Sequence, residues 1–238
     1  FKGELGTSYK YNKPVSYMLK LRLPNTLRLG LSAVALSVIV SIPFGIASAL
    51  YHNRLLDHAG RVFTLLISSF PSFWVAIVLI IVCGLKLKLL PVGGMQGPES
   101  IILPAVTLSM GMTAATTRMM RSSMLDVMGQ DYILAAKAKG MKPRKILTRH
   151  MLKNALPPII TVIGLQIGHI LGGAVIIENI FSWPGVGGLL MDAINAKDTP
   201  MIEGCVLLIA FGYTMIHLFV DILYACLDPK LKYSGEDS

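Results

Sequence analysis

Charge is scarce in this chain of 238 residues. Asp, Glu, Lys and Arg make up 15% of it, against about 25% in soluble domains. Long tracts have no charge at all: 29–53, 62–85, 100–117, 154–177 and 204–220. Each is close to the roughly 20 mainly apolar residues that a helix needs to cross a bilayer. Five such tracts exclude a soluble globular protein and a disordered chain. Cysteine is equally sparse. Cys83, Cys205 and Cys226 are the three present, each in or beside an apolar tract and none in C-x-x-C spacing. That excludes a disulfide-stapled secreted domain and gives no zinc site. Catalytic signatures are missing too. There is no G-x-x-x-x-G-K-[ST] loop to cradle phosphates, no H-E-x-x-H and no G-x-S-x-G.

What is present is apolar and basic. Hydrophobic residues reach 53%, and the net charge is +9. The basic residues lie between the apolar tracts, so anionic lipid headgroups explain them better than nucleic acid does. The tracts predict spans at about 26–51, 62–85, 101–120, 155–177 and 202–227. The cytoplasmic side should carry the excess of Lys and Arg. Segments 52–61, 118–153 and 228–238 hold 13 basic residues, and segments 1–25, 86–100 and 178–200 hold 8. The first set is therefore expected to be cytoplasmic, with residues 1–25 outside and 228–238 a cytoplasmic tail. An exported polar N-terminal stretch with no signal of its own leads to the expectation of a further helix upstream of Phe1. The expected fold is an all-α integral membrane protein, with five transmembrane helices in this chain and six in the whole protein.

Small residues mark helix contacts. Ala33, Ser37, Ser41, Gly45 and Ala49 recur every four residues in the first span, and Gly164, Gly168 and Gly172 in the fourth. Such stripes let helices approach closely in lipid. Pro43 and Pro71 predict kinks.

The loop 121–154 is the most informative segment. Asp131 to Lys139 is rich in Ala and Lys and favours a helix. Gly140 is placed to stop it in the left-handed conformation, and a second helical stretch is expected over 144–154. Tyr132, Ile133, Ala136 and Gly140 are expected on one face, with lysines on the other. A basic helix lying on lipid headgroups would account for the lysines but not for small residues followed by glycine.

Ala135-Ala136-x-x-x-Gly140, in a cytoplasmic loop before the penultimate span, resembles the coupling motif of ATP-binding-cassette importer permeases. Leu134 stands where many members have Glu. Ala138-Lys139-Gly140, Ile146, Arg149-His150, Asn154-Ala155 and Pro158 resemble the peptide and nickel branch. So do Leu5 to Tyr9, Ile101 to Ala105, Ile177 to Gly187 and Leu227-Asp228-Pro229. The resemblance covers nearly the whole chain. It implies a non-enzymatic transport subunit in the bacterial inner membrane, paired with a second, related permease and fed by an extracytoplasmic substrate-binding protein. Two ATPase subunits would bind the ATP and Mg and receive the coupling element, Asp131, Tyr132, Ala135, Ala136 and Gly140. No cofactor is expected in this chain.

Ionisable residues near the spans are the pathway candidates, because such groups usually face the bundle interior or water. They are His169, His217 and Glu178. His217 has Asp221 four residues on, so a hydrogen-bonded pair along one helix face is a competing account. Glu178 and Trp183 to Gly188 are expected at the outer mouth, where Trp183 could equally be an interfacial anchor. A stand-alone channel or ion-coupled carrier is the rival reading. It would call for deep charges in several spans and no docking motif. For cargo, the outer loop from Ile177 to Gly187 resembles nickel permeases slightly more than dipeptide and oligopeptide members.

Overall fold

A computed structural model of the protein describes residues 5–227. The expected cytoplasmic tail 228–238 and the side chain of His169 lie outside the described residues. The described residues form helices α1 Val15–Leu50, α2 Leu55–Ser69, α3 Ser72–Leu79, α4 Ile102–Met128, α5 Asp131–Ala138, α6 Pro143–Ile146, α7 Leu152–Ile180, α8 Val186–Asn195 and α9 Thr199–Leu227. Wide π-type turns extend α3 through Ile80–Lys86 and lead into α7 through Leu147–Met151. No strand occurs among the described residues beyond an isolated bridge between Thr7 and Pro14.

Four helical stretches are long and apolar enough to cross a membrane: Val15–Leu50, Pro98–Met128, Pro143–Gly168 and Thr199–Ile222. A fifth is made by Leu55–Ser69 with Ser72–Lys86, taken as one broken span. The break has a plain cause. Pro71 is extended at ψ 139° and has no amide hydrogen to donate. The kink expected inside one span is therefore a division into two helices. Pro43, in contrast, does not interrupt α1.

Several helices outrun their charge-free tracts. α1 starts at Val15, because Val15, Met18 and Leu19 face inward while Lys20 points to solvent. α4 continues to Met128, where Met120, Met124 and Val127 are buried. Counting charges misses such amphipathic extensions, since one polar face is enough to end an uncharged run.

The described residues form two compact units. One comprises residues 5–36, 70–110 and 166–217. Its core joins Val15, Met18 and Leu19 to Val186, Leu189, Met201 and Cys205, and sets Leu103, Ile177 and Phe181 together. The other comprises 37–69, 111–165 and 218–227. Its core runs from Ala49, Met120 and Met124 to Ile133, Ala136, Ile146, Met151 and Ile159. The small stripe of α1 is buried throughout, at Ala33, Ser37, Ser41, Gly45 and Ala49. At Gly45 an added Cβ would stand 2.6 Å from Cβ of Met120, so close approach depends on the missing side chain.

Candidate functional site

The 131–146 segment is a helix, a glycine turn and a second helix. α5 ends in a paired terminal motif. Gly140 N donates to Lys137 O (2.9 Å), and Met141 N donates to Ala136 O (3.2 Å). Gly140 sits at φ +73°, which glycine adopts without the steric penalty of a Cβ. Ile133 and Ala136 are buried in the core of their unit, with Ile146 and Met151 beside them. The opposite face is open at Asp131, Leu134, Ala135 and Ala138, with Leu134 55% exposed. The grouping expected from sequence is thus corrected. Tyr132 and Gly140 are exposed and do not share the inward face of Ile133 and Ala136. Ala136 anchors the helix, and Ala135 is the small residue presented outward. The hydroxyl of Tyr132 accepts a hydrogen bond from Asn154 Nδ2 (3.1 Å), tying α5 to the start of α7. The second helical stretch expected over 144–154 is present and runs on without a break into α7. α6 has four residues before the π-type turn.

In the same unit a buried carboxylate holds three helices. Asp57, in the first turn of α2, is fully enclosed. It accepts hydrogen bonds from Ser48 Oγ of α1 (2.6 Å), from Asn53 N (3.0 Å) and, at both oxygens, from the guanidinium of Arg121 on α4 (2.6 and 2.9 Å). His52 and Arg61 flank it at 3.5 and 4.0 Å. A two-pronged Arg–carboxylate pair is both strong and directional. Sequence reasoning missed it, because Arg121 counted only as a cytoplasmic positive charge. The available signal was a lone Asp in an otherwise basic inter-span segment.

The other unit contains two buried carboxylates. Glu178, near the end of α7, accepts hydrogen bonds from Thr26 Oγ1 (2.7 Å), Gly187 N (2.7 Å) and Gly188 N (3.1 Å). Thr26 Oγ1 accepts from Val186 N (2.8 Å). The first three amides of α8 are therefore satisfied from α7 and α1, at the end of the helix where negative charge is favoured. An added Cβ on Gly185 would overlap the Glu178 carboxylate, and one on Gly187 would overlap the main chain at Val175. Trp183 is buried, its Nε1 donating to Asn25 O (3.0 Å), so it is not an interfacial anchor. Asp198, also fully buried, accepts from Ser8 Oγ and from the amides of Tyr9 and Lys10 (both 3.1 Å). Burial pushes this carboxyl upward, but those hydrogen bonds outweigh it and hold it below the usual carboxylate range.

Comparison with known proteins places this architecture. Residues 41–233 match the family model described as binding-protein-dependent transport system inner membrane component. The chain belongs to this permease family. Across 243 residues the permease is 40% identical to the oligopeptide transport system permease protein AppB of Bacillus subtilis, covering 97% of this chain and 77% of that protein. It is 36% identical over 231 residues to the glutathione transport system permease protein GsiC of Salmonella typhi, covering 97% and 76%. Among solved structures, an inward-facing MetNI methionine ABC transporter aligns with a TM-score of 0.73 at 16% identity, covering 90% of this chain and 97% of that one. That last likeness concerns the fold alone. The permease is a multi-pass membrane subunit of an ATP-binding-cassette importer, a transport component and not an enzyme.

The pathway candidates of the permease fall in different settings. Glu178 is enclosed, with its carboxylate bonded to Thr26 and to the amides that open α8. His217 packs on α7, where an added Cβ at Gly168 would stand 2.5 Å from its Nε2, and its ring lies 4.2 Å from that of Tyr213. His217 thus takes part in a contact with α7. Of the glycine stripe, Gly164 abuts Val220, at 2.8 Å from an added Cβ, while Gly172 is exposed with no described atom within 4 Å. Among the described residues the stripe makes close contacts at Gly164 and Gly168. No group of His, Cys, Asp or Glu among the described residues is arranged to hold a metal ion. Gly168→Leu is expected to reduce assembled permease in membranes severalfold, because a large side chain forces α7 and α9 apart. Gly172→Leu should leave it near wild type. Quantitative immunoblotting of the assembled complex checks both, and equal behaviour of the two variants would contradict the contact.

Proposed function

We propose that the permease imports small peptides across a bacterial cytoplasmic membrane as one half of a translocation pathway. A second, related permease supplies the other half. An extracytoplasmic binding protein delivers cargo, and two ATPase subunits holding ATP and Mg drive the cycle. The observation that carries this reading is the build of α5. It is fixed from within by Ile133 and Ala136, stopped by Gly140, and opens Leu134, Ala135 and Ala138 outward. An anchored helix whose outer face is apolar beyond the acidic Asp131 suits a groove on a partner protein better than a layer of anionic headgroups. Movement of the docked ATPases then becomes movement of the core that α5 belongs to, a two-state element biased by the nucleotide. Peptide cargo is supported by the oligopeptide and glutathione permeases among the relatives. Nickel, toward which the outer loop leaned, has no specific support from them.

Ala135→Asp tests the reading, since a charge would be desolvated in the docked contact. Membrane amount should stay at the wild-type level. Co-purified ATPase and uptake of a labelled tetrapeptide pool should both fall at least about tenfold. Wild-type levels of both would return α5 to a lipid-facing role.

A further inference from the structure

Arg28 occupies an unusual place in α1. Ser32 lies four residues on, on the same helix face. The rise from Arg28 to Leu50, at 1.5 Å per residue, is about 33 Å, close to the hydrocarbon thickness of about 30 Å. With Arg54 beyond the far end, Arg28 stands at the outer boundary of the span. It lies 13 residues inside the helix, not at its start. No carboxylate among the described residues pairs with it, although it is exposed. At that boundary a guanidinium can reach out of the hydrocarbon toward water or protein.

Arg28 lines a cleft of about 560 Å³ together with Ser32, Gln96, Gly97, Ile101 and Trp183. The Gln96 and Gly97 amides are turned inward, donating to Ser100 Oγ at 3.1 and 3.2 Å. That fixes the loop while leaving the Gln96 carboxamide without a hydrogen bond among the described residues. The Ser32 hydroxyl is in the same condition. Glu99 does not line the cleft. The lining therefore offers a permanent cation, a hydroxyl and a carboxamide together with the apolar Trp183 and Ile101. A guanidinium with neutral donors in the same lining is suited to a carboxylate, and the apolar lining residues to the side chain beside it.

We propose that this cleft is a subsite at the outer mouth for the terminal carboxylate of a peptide, with Arg28 as its anion-binding residue. The inference rests on the peptide reading above and adds a recognition element within the permease itself. Recognition here is a charge contact made as cargo enters, separate from the docking of α5.

The test uses the complete importer in lipid nanodiscs, without the binding protein. Binding of a tetrapeptide pool with free C-termini is compared with binding of the same pool amidated. Wild type should bind the free acids about tenfold more tightly, the worth of one charge-assisted hydrogen-bonding pair. Arg28→Gln should abolish that preference by weakening the acids alone, and Arg28→Lys should restore part of it. Equal affinity of wild type for both pools would overturn the assignment. So would equal weakening of both pools by Arg28→Gln, or loss of assembled complex, either of which would make Arg28 a structural or partner contact. In proteoliposomes supplied with the binding protein, wild type should take up the acid pool. Failure of that uptake would overturn the peptide reading itself, independently of Arg28.

Discussion

Asp57→Ala is expected to destabilise the permease by about 3 kcal/mol, near the lower end of the range for breaking a buried ion pair. The carboxylate is fully enclosed, and removing it strands the Arg121 guanidinium, the Ser48 hydroxyl and the Asn53 amide together. Arg121 keeps 18% of its side chain in solvent, and water there can replace part of what it loses. That places the cost at the lower end. Replacing both charged partners with apolar residues, as in Asp57→Leu with Arg121→Met, should recover much of the loss, because no uncompensated charge is left behind. Thermal unfolding of the detergent-purified complex measures each variant. A midpoint for Asp57→Ala within a degree of wild type would refute the assignment. A function-level effect should follow. Arg121 is flanked on α4 by Met120 and Met124, which share a core with Ile133 and Ala136 of α5. Loss of the clamp should therefore lower peptide uptake per ATP hydrolysed even in the protein that still assembles.

The two main features of the chain differ in how far the sequence exposes them. Membrane helices were legible because their signal is local. A tract such as 204–220 contains no charge, and α9 forms around it. The stripe from Ala33 to Ala49 was legible for the same reason, since its four-residue spacing is the helix repeat itself. Gly140 was legible because few residues tolerate the backbone it adopts. The face of α5 was not legible. Ala135 and Ala136 are the same residue type, and an eight-residue helix is too short for periodicity to show which one turns inward. Only the core around Met120 and Met124 decides it. The Asp57–Arg121 clamp joins residues 64 positions apart, and no pattern along the chain links them. The enclosure of Glu178 was not legible for a physical reason. A charge at the end of an apolar tract ordinarily faces water, but here the amides that open α8 take the place of solvent.

Glu178→Ala is expected to release the start of α8 while leaving α5 and its ATPase partners in place. The substitution leaves Gly187 N, Gly188 N and the Thr26 hydroxyl without their acceptor in a buried site. Each unmet buried group costs about 1–3 kcal/mol. A local loss of about 3 kcal/mol corresponds to roughly 100-fold faster amide exchange at residues 186–188, which hydrogen–deuterium exchange of the intact complex would resolve. Glu178→Gln should be milder. Its amide oxygen can still accept from the two glycines, and its NH2 can donate to Thr26 Oγ1, so the loss is mainly that of a charge at a helix N-terminus, about 1 kcal/mol. Gly187→Ala attacks the same joint sterically. Its Cβ would meet the main chain at Val175, which cannot rotate away as a side chain would, so it should accelerate exchange over the same three amides despite an intact carboxylate. Both severe variants should lower uptake with ATPase co-purification unchanged, whereas Ala135→Asp should lower both. Protection at 186–188 that survives Glu178→Ala would mean that α8 is held by its apolar face, Val186 and Leu189, and that the carboxylate adds nothing.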